Sequence, residues 1–168
     1  MNNVIDIEKL MEIGFSVSSL KESVDRSAYS YSLKFNGKKV AFVSNSSRGG
    51  FTVAEWEGIS PNGSSIKGTL PSTVRAVKMA MEAFSVFVDE SDDISINGDI
   101  HHMDDGLVLE ALAEEARLIK KCKTKSLFRT AKGKEYALDA KYSPQIFAWI
   151  QAHFPSSVVH NERLKASL

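Results

Sequence analysis

Asp93, Ser95, Asn97, Asp99 and Asp104 place oxygen-bearing side chains at positions one, three, five, seven and twelve of a twelve-residue stretch, with Gly98 at six and Ile100 at eight. That spacing suits a calcium loop, in which hard oxygen ligands wrap one cation and the glycine makes the sharp turn. The pattern departs from that chemistry in two places. Position twelve is the shorter aspartate, where a glutamate would bind with both oxygens, and positions two and four are Ile94 and Ile96. Asp92, Ile94 and Ile96 also alternate as a short strand would. His101, His102, Asp104 and Asp105 offer a second ligand set, for a transition metal. Adjacent histidines usually point apart, however, and no third histidine lies nearby, so an exposed polar loop is the competing reading.

Charge is segregated along the chain. From Glu82 to Glu115 there are eleven acidic residues and no lysine or arginine. Asp89, Asp92, Asp93, Asp99, Asp104 and Asp105 form the middle of this run and are the candidate contacts to a basic partner protein. From Arg117 to Lys141 there are nine basic residues opposed only by Glu135 and Asp139. Within it, Lys120, Lys121, Lys123, Lys125, Arg129, Lys132 and Lys134 are candidate phosphate contacts, with Phe128 and Tyr136 as candidate stacking groups for nucleic acid. The alternative for both runs is solvated surface.

Two smaller features carry weaker chemistry. Arg48 stands in Ser-Ser-Arg-Gly-Gly, a loop tip suited to touching a partner, but the stretch lacks the Gly-Lys-Ser/Thr ending of a phosphate-binding loop. Cys122 is the single cysteine, so no internal disulfide can form. Its lysine neighbours could lower the thiol pKa, while a half-buried structural cysteine is the plainer reading. There is no nucleophile elbow, HExxH or dinucleotide fingerprint. The reading therefore leans away from an enzyme and from any cofactor, leaving open an enzyme with dispersed catalytic residues.

The elements that must position these residues follow from hydrophobic period. Residues 4–24 read as a weak amphipathic opening, in which Ile5, Leu10, Met11 and Ile13 suggest a short helix interrupted at Gly14. Tyr29, Tyr31, Leu33 and Phe35 alternate with polar residues as a half-buried strand, Asn36-Gly37 supplies a hairpin turn, and residues 39–43 return. A third strand over 51–56 completes a three-stranded meander. A long loop over 59–72 leads to a helix over 73–88 capped by Ser72. An acidic connector precedes a helix over 105–122 whose charge runs from acidic to basic, matching the helix dipole. Residues 126–142 read as a second hairpin. Ser143-Pro144 then starts a final helix, with serine as cap and proline at the first helical position. The tail from about 156 is expected to be weakly ordered. The fold class is α+β: an antiparallel sheet of hairpins, a three-stranded meander plus a C-terminal hairpin, packed against two to four helices.

The 168 residues suit one domain with its own core, and 43% hydrophobic with 25% charged residues is ordinary for a globular protein. Twenty-one basic residues balance twenty-one acidic ones, which argues against a globally basic nucleic-acid binder. No signal peptide is legible and no stretch is long and apolar enough to span a membrane. The expected location is the bacterial cytoplasm, with no membrane partner.

Residues 35–50, FNGKKVAFVSNSSRGG, resemble a hairpin in uncharacterised small proteins of bacteriophages and plasmids. Residues 123–134, KTKSLFRTAKGK, with 142–150, YSPQIFAWI, resemble their C-terminal part. The resemblance implies a mobile-element accessory protein that binds a host or defence protein. Nucleic-acid binding through residues 117–141 and a small-ligand or metal module are the alternatives. Exposed strand edges would permit a homodimer.

Overall fold

The structure, a computed structural model, describes residues 5–47 and 50–165. Five helices and nine strands are found among them, more helices than the two to four expected. The strands form three separate antiparallel sheets, not one. Contacts divide the chain into two compact units, Met1–Glu114 and Glu115–Leu168.

The first unit opens with α1 (Ile7–Ile13), capped by the Asp6 side chain, which accepts from the Lys9 amide. Gly14 ends it at φ 119°, a left-handed conformation that favours glycine. The chain then enters β1 (Phe15–Glu22), which pairs antiparallel with β2 (Tyr29–Phe35). The stretch after Gly14, read from the sequence only as part of an amphipathic opening, is this strand. Its period is broken between Ser18 and Lys21, where Ser19 takes φ 59°. The irregularity hides the alternation that would otherwise have marked a strand.

β3 (Lys38–Asn45) and β4 (Val53–Trp56) extend the sheet in the order β1-β2-β3-β4. The expected three-stranded meander is therefore four-stranded. α2 (Pro71–Asp89) begins earlier than expected: Leu70, not Ser72, is the cap residue, and no side chain caps it. Pro71 supplies a preset φ at the first position instead. Val77, Ala80, Phe84, Phe87 and Val88 of α2 are buried. In the same cluster lie Phe15, Tyr31, Leu33, Val40 and Val43 of the sheet, with Val108, Leu109 and Leu112. Phe84 meets Phe15 and Trp56 edge-on at centroid distances of 5.6 and 6.1 Å, the offset geometry aromatic quadrupoles prefer. Tyr31 is fully buried, and its hydroxyl donates to the Leu109 carbonyl at 2.8 Å.

β5 (Ile94–Ile96) and β6 (Asp99–His101) form a two-stranded hairpin. α3 (Asp105–Cys122) follows at the expected limits, running from Asp105 to Lys120 and Lys121 in its last turn.

In the second unit, β7 (Ser126–Arg129) pairs with β8 (Glu135–Leu138) and with β9 (Val158–Val159), in the order β8-β7-β9. α4 (Pro144–His153) has the expected Ser143 cap, whose hydroxyl accepts from the Ile146 amide. Phe128, Ile150 and Val159 form the core, with Tyr136, Ile146, Phe147 and Phe154 against it. The stretch expected to be a weakly ordered tail carries β9 and α5 (His160–Arg163), and it buries Ser157, His160, Asn161 and Leu164.

Candidate partner-binding site

The loop between β3 and β4 is held from below by a buried hydroxyl. Thr52 is almost wholly buried. Its Oγ1 accepts from the Asn45 amide at 3.0 Å, shares a 2.7 Å bond with the Tyr29 hydroxyl, and donates to Glu110 Oε1 of α3 at 3.3 Å. Asn45 also fixes the near side of the loop, because its Oδ1 accepts from the Ser47 amide at 2.9 Å. Thr52 approaches the start of α3 closely enough that a Cβ on Gly106 would lie 3.8 Å from the Thr52 carbonyl oxygen. Beside this anchor, Phe51 is 88% exposed. A large ring on an anchored loop has no role in the core. Arg48, the loop residue singled out from the sequence, lies outside the described residues.

The same corner gathers acidic side chains that the sequence spreads over sixteen positions or more. Asp104 caps α3, its Oδ1 accepting from the Leu107 amide at 2.8 Å. Asp105 stands at the first helical position. Burial pushes its carboxyl pKa up, and the neighbouring charges of Asp104 and Asp89 push it further. Asp89, Asp104 and Asp105 therefore share one negative field, at the end of α2 and the start of α3, with Glu110 on the following turn.

Asp92, Asp93 and Asp99 belong to the adjoining hairpin. Asn97 and Gly98 both take positive φ, 54° and 92°, which is the two-residue turn that hairpins favour. This hairpin occupies the stretch whose spacing suited a calcium loop. Ile94 pairs with His101 and Ile96 with Asp99, so the five proposed ligands are strung along two strands and a helix cap instead of converging. Among the described residues, no group of three or more His, Cys, Asp or Glu side chains is placed to hold a metal ion. His102 turns back to Asp93 at 2.9 Å. Ile100 is 77% exposed, which gives the acidic hairpin an apolar spot.

The basic run falls in the second unit. Residues 115–168 hold eleven basic and four acidic side chains, a net +7, against ten and seventeen, a net −7, in residues 1–114. Lys120, Lys121, Lys123, Lys132 and Lys134 are exposed. Two of the expected phosphate contacts are already partnered: Lys125 pairs with Asp139 at 2.6 Å, and Arg129 with Glu135. Phe128 is fully buried and cannot stack on a base. Burial alone would raise the Glu135 carboxyl, but hydrogen bonds from Arg129 and His160 hold it below the ordinary glutamate range. Cys122 is buried and its thiol is pushed up to about 11 by desolvation, against the favourable charge of Arg163. The surrounding lysines do not make it a nucleophile.

Several residues had no sequence signal. Thr52 and Phe51 read only as strand residues, and Asn161 only as part of a tail. Among the described residues, no helix is long and apolar enough to cross a membrane. No protein-family model, curated protein or solved structure matches this chain.

Proposed function

We propose that this chain is a mobile-element accessory protein that acts by binding, and that it docks a basic host or defence protein through the corner formed by Phe51, Asp89, Asp104, Asp105 and Glu110. The observation that carries the reading is Phe51, an almost fully exposed aromatic ring next in the chain to Thr52, whose hydroxyl bonds Glu110 of the acidic helix α3. Aromatic anchors supply most of the energy in protein interfaces, and a rim of one charge sets partner choice and association rate. The raised Asp105 carboxyl fits this role, because a basic partner side chain would relieve the repulsion it shares with Asp104 and Asp89. Ile100 on the adjoining hairpin would extend the apolar contact.

The test is capture of partners by the tagged full chain in a bacterial host, with and without nuclease, beside two variants. Phe51→Asp removes the anchor, and Asp89→Asn with Asp105→Asn removes charge while sparing the Asp104 cap. A stoichiometric protein should survive nuclease, be lost with Phe51→Asp, and be released at lower salt from the double variant. Equal retention of that protein by all three chains would rule the corner out as the binding site.

A further inference from the structure

The second unit carries an aromatic surface that the basic run alone did not reveal. Trp149 of α4 is 43% exposed. Its indole stacks on the His153 ring at 4.3 Å with an interplanar angle of 24°, and His153 Nδ1 donates to the Trp149 carbonyl at 2.8 Å. The histidine is thereby fixed one turn on, and the indole packs against it. The ring contacts continue inward. Trp149 meets Phe154 at 6.2 Å, and Phe154 meets Tyr136 at 5.4 Å. The Lys134 ammonium lies 5.1 Å from the centroid of the Tyr136 ring. A line of rings therefore links the exposed indole to the basic turn between β7 and β8, where Lys132 is also exposed.

An apolar core does not need Trp149 at this position, since Ile150 next to it is the residue of α4 that is fully buried. A flat exposed ring, held by a neighbour and joined through Phe154 and Tyr136 to Lys134 in a unit of net +7, matches what an unpaired base with its phosphate requires. A duplex would not offer a base face to the ring, because its bases are already stacked. We infer that Trp149 and His153, with Lys132 and Lys134, form a binding surface for single-stranded nucleic acid. The base stacks on the indole and the phosphates meet the lysines. This surface is independent of the Phe51 corner, so either can fail without the other.

The full chain with Trp56→Phe leaves Trp149 as the sole tryptophan. Titration with a short oligothymidylate or oligouridylate at low salt should quench its fluorescence to saturation. Anisotropy of the labelled oligonucleotide, read with the unaltered chain, gives affinity without relying on Trp56→Phe. Trp149→Leu should weaken binding about tenfold, the loss expected for one stacked base. Lys132→Glu with Lys134→Glu should also weaken it and reduce its dependence on salt. Circular dichroism verifies that each variant is folded. The inference is overturned if no binding occurs at low salt, if folded Trp149→Leu binds as well as the unaltered chain, or if duplex DNA or polyglutamate competes equally. The last result would make the surface a general polyanion or acidic-protein site.

Discussion

Thr52 and Glu110 stand 58 residues apart in sequence, and the threonine hydroxyl donates to the carboxylate at 3.3 Å. This bond, with those from Asn45 and Tyr29, ties the loop that displays Phe51 to the helix that displays the acidic residues. Thr52→Val keeps the shape and removes the hydroxyl, so three polar groups lose one partner. The expected cost is about 1–3 kcal/mol, as for a buried polar group left unsatisfied. Chemical denaturation should show this loss with an unchanged far-ultraviolet spectrum. On the proposed reading, partner capture should fall as well, because the chain beside Phe51 would lose its tie to α3. Full capture by Thr52→Val would mean that the anchor is structural only.

Asp105 sits at a cost to stability. The dipole of α3 favours a carboxylate at its start, but burial and the charges of Asp104 and Asp89 outweigh it, and the pKa is raised. The folded chain then holds this proton more tightly than the unfolded chain. Stability from this group is present below the ordinary aspartate value and is lost as pH rises through the raised one. Asp105→Asn should therefore raise the melting temperature at pH 7 by about 1–3 °C, an increment typical of relieving one surface repulsion in a chain this size. The gain should shrink toward zero below about pH 3.5, where aspartates are protonated in both states. Melting curves across pH 3–8 provide the check, and a variant that is less stable at pH 7 would contradict the sign.

These relations show why some of the molecule was legible in the sequence and some was not. α3 and α4 were readable because their caps, charge gradient and apolar period agree with one another. β2 and β3 were readable because alternation in β2 and an apolar β-forming run in β3 flank Asn36-Gly37. β1 was not, since the irregularity near Ser19 breaks its period. The calcium pattern failed because Asn97-Gly98 serves a hairpin turn equally well, and spacing alone cannot tell a turn from a wrapped ion. The acidic run was visible as charge, but its union with Phe51 depends on Thr52, whose partners lie far along the chain. The exposure of Trp149 was not legible, because helical spacing does not fix which side of a broad apolar stripe stays exposed.

Cys122 offers a separate check on how burial competes with local charge. Lysines flank it in sequence, yet the thiol is buried and its pKa is raised to about 11. At pH 8 the thiolate fraction should be far below that of an exposed cysteine, whose ordinary pKa is about 8.5. A thiol reagent should therefore modify the native chain at least ~100-fold more slowly than the chain unfolded in denaturant. Comparable rates would show that the C-terminal end of α3 opens readily.

Asn161 decides whether the last residues belong to the fold. It is fully buried, its Nδ2 donates to the Cys122 and Lys125 carbonyls at 3.0 and 2.9 Å, and its Oδ1 accepts from the Leu127 amide at 2.7 Å. One side chain thus satisfies two carbonyls where α3 ends and an amide where β7 begins, groups that helix and sheet geometry leave open. Asn161→Ala orphans all three. With each buried unsatisfied group costing about 1–3 kcal/mol, the total should be at least about 3 kcal/mol. Asn161→Asp should be no better, because a carboxylate oxygen would face two carbonyl oxygens with no donor between them. Hydrogen exchange gives the residue-level readout: the Leu127 amide should be protected in the unaltered chain and exchange much faster in Asn161→Ala. Removing residues 157–168 should have the same effect on that amide, whereas a loosely attached tail could be removed without changing its protection.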